Sequence, residues 1–118
     1  MLRLKSRNAL VRGGASRELW RYKDIRILPT LLTTLRDESW FVRACAVHAL
    51  GKAGNPEVYA HLIPLLKDPE AKVREDVVDA LFRLKTPFAI SALIDALRDS
   101  DPGVRAKAAR AWGLSACE

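Results

Sequence analysis

The stretch Val73–Leu84 reads VREDVVDALFRL. Thirty-one residues upstream, from Val42, the chain reads VRACAVHALGKA, and thirty-one downstream, from Val104, VRAKAARAWGLS. The match extends beyond these windows. Leu31, Leu62 and Leu93 coincide on the 31-residue step, as do Leu35, Leu66 and Leu97, and Asp37, Asp68 and Asp99. Val42, Val73 and Val104 align, each followed by an arginine: Arg43, Arg74 and Arg105. A period of this length marks a repeat architecture.

Each unit reads as two helices. The first is predicted over 25–36, 56–67 and 87–98, and the second over 39–51, 70–83 and 101–113. Asp24, Asn55 and Thr86 are good N-caps for the first helices, and Pro56 and Pro87 suit the first helical position. Leu28, Leu31, Leu32 and Leu35 form a helical stripe. In the second helix Val42, Ala46, Ala49 and Leu50 do the same. Ser39 and Asp101 can cap second helices and Glu70 does so less well. Gly51 and Gly113 suit the position just past a helix end. Pro29 and Pro64 fall inside first helices and should bend them. Trp112 shares the core slot of Leu50 and Leu81.

One hairpin cannot bury its own apolar stripe, but stacked hairpins can. The predicted fold is therefore all-α: a right-handed α-solenoid of period 31 with about three and a half units. Its units are 24–54, 55–85 and 86–116, in one domain spanning 24–118. Residues 1–23 are a degenerate half-repeat. Val11-Arg12 keeps the register of Val42-Arg43, but Ser6 replaces the aspartate and Gly13-Gly14 interrupts the helix, with loss of core side chains there.

Composition narrows the function classes. Hydrophobic residues are 49% and charged residues 29%, a globular balance. No apolar run approaches the roughly 20 residues of a membrane span. Aromatics are only 7%, so Leu, Val, Ile and Ala must build the core. Two widely separated cysteines, Cys45 and Cys117, suggest a reducing, cytoplasmic setting. The net charge of +6 resides in residues 1–23, where seven basic residues face Glu18 alone; residues 24–118 carry 13 of each sign. Those basic residues read as a cap with solvated charges. A nucleic-acid or acidic-partner arm is the alternative, joined by Lys107 and Arg110. An Arg-rich leader is a third reading, which the Val-Arg register opposes.

The stretches LRDESWFVRACAVHALGKAG, LKDPEAKVREDVVDALFRL and LRDSDPGVRAKAARAWG resemble the short HEAT-like repeats of the phycobilin-lyase type. The resemblance covers residues 24–116, with a trace before them. It implies a scaffold fold that serves many partners. It also leaves room for an accessory role in bilin attachment, in which Cys45 would be a bilin-handling thiol.

No catalytic constellation emerges, so no enzymatic activity and no cofactor is expected. His48 and His61 lie on different helices without ligand-spaced neighbours, and there is no His-Glu dipeptide. The repeated Asp37/Arg43, Asp68/Arg74 and Asp99/Arg105 read as a structural ladder. Each aspartate can accept from turn N–H groups, and each arginine can reach its own aspartate or its neighbour's. A catalytic pair would not recur three times.

The slots that vary carry the functional expectation. The second helices should line up as one face, with Trp40, Phe41, Ala44, Cys45, His48, Lys72, Glu75, Asp79, Lys107 and Arg110 turned outward to hold a protein or peptide. Cys45 is expected at least partly exposed, because its slot holds Asp76 and Lys107 elsewhere. Trp40-Phe41 is the natural anchor. Equally, either ring could cover the degenerate half-repeat. A side left open after Trp112-Gly113 is expected to promote self-association, or else to be covered by a parent protein or partner that continues the stack.

Overall fold

The computed structural model describes residues 8–19, 28–84 and 90–111. Expectations for Asp24, Thr86, Pro87, Trp112, Gly113 and most of the basic N-terminal residues lie outside these. The described residues contain helices and no strand. They form α1 (Ala9–Leu19), α2 (Leu28–Thr34), α3 (Trp40–Ala53), α4 (Tyr59–Leu62), α5 (Ala71–Leu84), α6 (Ile90–Ala96) and α7 (Pro102–Ala111), with 3₁₀ segments at Pro56–Val58 and Ile63–Lys67.

The long helices stack in order. α1 packs on α3, α3 on α5, and α5 on α7, while α2 and α6 pair with the α3 and α7 that follow them. The chain extends 45 Å in its longest direction and 22 Å in its shortest. Val42, Ala46, Ala49 and Leu50 of α3 are 0% exposed, as are Val73, Val77 and Val78 of α5 and Val104 and Ala108 of α7. First helices contribute Leu31, Leu35, Leu62 and Leu93 to the same continuous core. Burying a valine or leucine side chain contributes about 1.5–3 kcal/mol. A shared stack is thus the means by which short helices hold together.

Local chemistry sets the helix ends. Asn8 starts α1: its side-chain oxygen accepts the Leu10 N–H at 2.9 Å. Asn55 plays that part for the first 3₁₀ segment, accepting from Glu57 N–H at 3.0 Å. Asp101 caps α7 through the Val104 N–H. Ser39 occupies the N-cap position of α3, yet its hydroxyl makes no capping bond. Instead the Asp37 carboxylate, two residues earlier, accepts the Ser39 N–H at 2.9 Å.

Two glycines depart from their expected roles. α3 ends at Gly54, not Gly51: Gly54 has φ 76° and donates its N–H to Leu50 O. That left-handed conformation strongly favours glycine. Gly51 lies within α3, where a Cβ would stand 2.9 Å from Ala80 Cβ and 3.1 Å from Ala80 Cα. It permits the close approach of α3 and α5. Pro64 breaks its helix: α4 lasts four residues and gives way to 3₁₀ geometry from Ile63 to Lys67. A proline lacks the N–H for an α-helical bond and crowds the preceding turn. At Pro29 the upstream half of the expected bend lies outside the described residues.

Candidate functional site

Two features carry the regular charged and aromatic residues: a ladder of arginines and aspartates along the turns, and the face of α3, α5 and α7.

In the ladder each arginine bridges two turns. Arg43 donates from Nη1 to the backbone oxygens of Asp37 and Glu38 at 2.8 and 3.2 Å. Its Nε and Nη2 fork onto Asp68 Oδ2 and Oδ1 at 2.7 and 3.1 Å. Arg74 repeats this, with Nη1 on Asp68 O and the fork on Asp99 at 2.9 and 3.2 Å. Arg12 of α1 forks onto Asp37 at 2.9 and 3.0 Å. Every fork therefore joins residues 25 apart, an arginine of one unit and an aspartate of the next. The sequence leaves own and neighbouring partners open. In the structure the own turn supplies backbone oxygens and the next turn supplies the carboxylate. Arg12 is a rung that the list of three within-unit pairs misses; its register with Arg43 is the signal that identifies it. Arg105 is exposed, and among the described residues it donates to Asp99 O and Ser100 O.

Each aspartate has a second duty. Asp37, Asp68 and Asp99 accept the N–H two residues on, from Ser39, Glu70 and Asp101, all at 2.9 Å. Burial by itself would raise the Asp37 pKa. Hydrogen bonds from Arg12 and the Ser39 N–H, with the charges of Arg12 and Arg43, outweigh it and hold Asp37 below the usual carboxylate range. The hydrogen bond to Asp37 likewise raises Arg12.

The second-helix face is less open than the sequence suggests. Ala44 and Cys45, expected to point outward, are 5% and 4% exposed. For Cys45 the physical reason is α1, which lies against α3, whereas Ala44 belongs to the continuous core. A Cβ on Gly13 would stand 2.5 Å from Phe41 Cε2 and 3.1 Å from Cys45 Sγ. Phe41 is half-buried over Gly13, so this ring covers the half-repeat. Gly14, by contrast, is exposed with open space around it and marks no lost core side chain. Burial of Cys45 also removes the accessible thiol on which a bilin-handling role depends.

Trp40 remains 42% exposed. Its ring meets Phe41 edge-on, with centroids 6.0 Å apart at 89°, a favoured aromatic geometry. Further along, His48, Glu75, Asp79 and Lys107 are half-buried, and Lys72 and Arg110 are exposed. Lys107 Nζ donates to Asp79 Oδ2 at 2.7 Å, and Lys72 lies 3.7 Å from Asp76. Burial raises the Asp76 pKa, an effect that Lys72 partly opposes. Asp76, absent from the expected site, thus shares this face. A separate cleft of about 540 Å³ opens between α2 and α4, lined by Leu32, Leu35, Arg36, His61, Pro64 and Leu65 among others.

The described residues hold no group of three or more His, Cys, Asp or Glu able to bind a metal ion. None of their helices is long and apolar enough to cross a membrane. Helical hairpins stacked through one core and laced by recurring Arg–Asp rungs define an α-helical repeat protein. The family model for HEAT repeats matches residues 1–81 and, overlapping them, residues 59–115. The chain belongs to the HEAT-repeat family. No curated protein matches it. HEAT repeats generally serve as protein-interaction scaffolds, and the family is typically non-catalytic.

Proposed function

We propose that this chain is a non-catalytic scaffold that holds a protein or peptide on the face of α3, α5 and α7. The observation that carries this reading is Trp40, a large aromatic left 42% exposed beside a ring that fixes its orientation. An aromatic anchor of this kind loses little conformational freedom on binding and buries a large area. Lys72 and Arg110, both exposed, supply a polar rim further along. Phe41 supports the anchor edge-on, and Ala44 and Cys45, both buried, lie outside the contact surface of this reading. The setting we infer is cytoplasmic, from the cysteine usage.

Trp40→Ala tests the reading. Wild-type and variant chains immobilised side by side would be exposed to the same cell extract and their captured proteins compared. A partner retained by the wild type should bind the variant more weakly by about 2 kcal/mol, the scale of an interface hot spot. Thermal unfolding should change little, because Trp40 is exposed. Equal capture by both chains would overturn the anchor role, and a collapse in melting temperature would make Trp40 a core residue.

A further inference from the structure

The cleft between α2 and α4 combines apolar walls with two polar side chains. Leu32, Leu35, Pro64 and Leu65 supply the walls, and Arg36 and His61 line the same cleft, both exposed. The stacking explains the gap. α2 packs on α3, whereas α4 and the 3₁₀ segment Ile63–Lys67 pack on α5. Pro64 has no N–H for an α-helical bond, and the first helix of this unit passes into 3₁₀ geometry around it. The 3₁₀ form rises about 2.0 Å per residue, against about 1.5 Å in an α-helix such as α2. Side chains on the two sides therefore fall out of step, and a space of about 540 Å³ is left. Pockets that hold ligands span about 300–1,000 Å³.

Charge narrows what the cleft can hold. No aspartate or glutamate lines it. Arg36 and His61 enter no ion pair among the described residues. Thr33, the remaining polar side chain of the lining, already donates its hydroxyl to Pro29 O at 3.0 Å. Thirty-one residues on, the slots of Arg36, His61, Pro64 and Leu65 hold Lys67, Ala92, Asp95 and Ala96. There a carboxylate accompanies the cation, the imidazole is missing, and the 3₁₀ segment packs on α6. A cation beside apolar walls with no carboxylate of its own thus belongs to the first junction and not to the next.

We propose that this cleft binds a peptide segment of a partner protein in which an aspartate or glutamate stands within two positions of a leucine, isoleucine or valine. The aliphatic side chain fills the space beside Leu32, Leu35 and Leu65. The carboxylate takes charge-assisted hydrogen bonds from Arg36, with His61 as a second donor. The cleft is half-open, so a chain can cross it without its ends being enclosed. First helices form this surface, and Trp40 has no part in it, so the two binding surfaces stand or fall separately.

Panning a random heptapeptide library on the full chain tests this. Selected peptides, labelled with a fluorophore, would be titrated by anisotropy against the parent chain and its Trp40→Ala, Arg36→Gln and His61→Ala variants. The expected peptides carry an aliphatic residue within two positions of Asp or Glu. They should bind Trp40→Ala as tightly as the parent, Arg36→Gln at least tenfold more weakly, and His61→Ala more weakly than the parent. Replacing the peptide's carboxylate by its amide should cost the parent chain a similar factor and cost Arg36→Gln nothing further. That second comparison reads the contact even if Arg36→Gln disturbs folding. Selection of no such peptides overturns the proposal, as does binding that survives Arg36→Gln or is lost with Trp40→Ala. Decanoate that displaces the peptide and binds as tightly would make the occupant a small apolar acid, and would overturn it too.

Discussion

Arg43 and Asp68 stand 25 residues apart in sequence and 2.7 Å apart in space, and the carboxylate is only 4% exposed at its side chain. That contact closes a circuit. The guanidinium also holds the turn before α3, and the carboxylate also holds the turn before α5 through the Glu70 N–H. One residue pair therefore fixes two turns and the junction between them. Asp68→Ala removes the acceptor for Arg43 and for the Glu70 N–H. The expected loss is about 1–3 kcal/mol, read as a lower midpoint in urea unfolding. A double-mutant cycle with Arg43 should show coupling; with Arg74, whose fork lies on Asp99, coupling through this carboxylate should be smaller.

The first rung makes acid sensitivity predictable in sign. Asp37 titrates below an ordinary aspartate, so its contribution is fully present above the unfolded-state value of about 4. It is lost as pH falls through the lower folded-state value. Arg12→Ala should reduce stability at pH 7, and the gap between parent and variant should narrow below about pH 4. Thermal unfolding at pH 7, 5 and 3 checks this. A gap that stays constant would show that the rung does not set the titration of Asp37.

Asp76 has the opposite sign. Burial raises its pKa, so the folded state holds the proton more tightly than the unfolded chain does. Its ionisation then costs stability as pH rises from about 4 through the folded-state value. Asp76→Asn should remove that slope. The variant should gain on the parent as pH climbs across this window in urea titrations at a series of pH values. A parallel pair of curves would mean that Lys72 and Lys107 cancel the burial.

Adjacent glycines in α1 should respond oppositely to one methyl group. Gly14 has open space, and Gly14→Ala should stabilise by up to about 1 kcal/mol through helix propensity. Gly13→Ala pushes a Cβ into the Phe41 ring and should cost about 1–3 kcal/mol. In a Phe41→Ala background the clash disappears, and Gly13→Ala should turn neutral or stabilising. Chemical denaturation of the four variants decides the matter.

At Gly51 the obstacle is a neighbouring helix. Gly51→Ala places a Cβ against Ala80 Cβ and Cα, and α3 and α5 must separate to admit it. The expected loss is about 1–3 kcal/mol. Ala80→Gly should recover part of it in the double variant, measured by urea midpoint.

The sequence makes the hairpin stack legible because each buried slot is stated more than once. Val42, Val73 and Val104 are all 0% exposed. Direction along the ladder is harder to read. Asp37 precedes Arg43 by six residues and Asp68 follows it by 25, and only packing decides that the backbone of one and the carboxylate of the other are used. The outward face is least legible, because slot variation does not reveal what α1 covers. Cys45 shares its slot with Asp76 and Lys107, so it reads as exposed, yet α1 lies against it. Gly13 is the physical trace of that contact in the sequence, and it reads there as a loss and not as a clearance.

The position of Cys45 makes it a clock for the first helix. Its sulfur lies behind Gly13, so a thiol reagent can reach it only during excursions in which α1 lifts from α3. The alkylation rate of that one thiol, relative to a freely accessible cysteine, then measures how often the end of the stack peels open. Peptide mapping separates it from Cys117. Changes that loosen the Arg12–Asp37 rung should quicken the clock without any global unfolding.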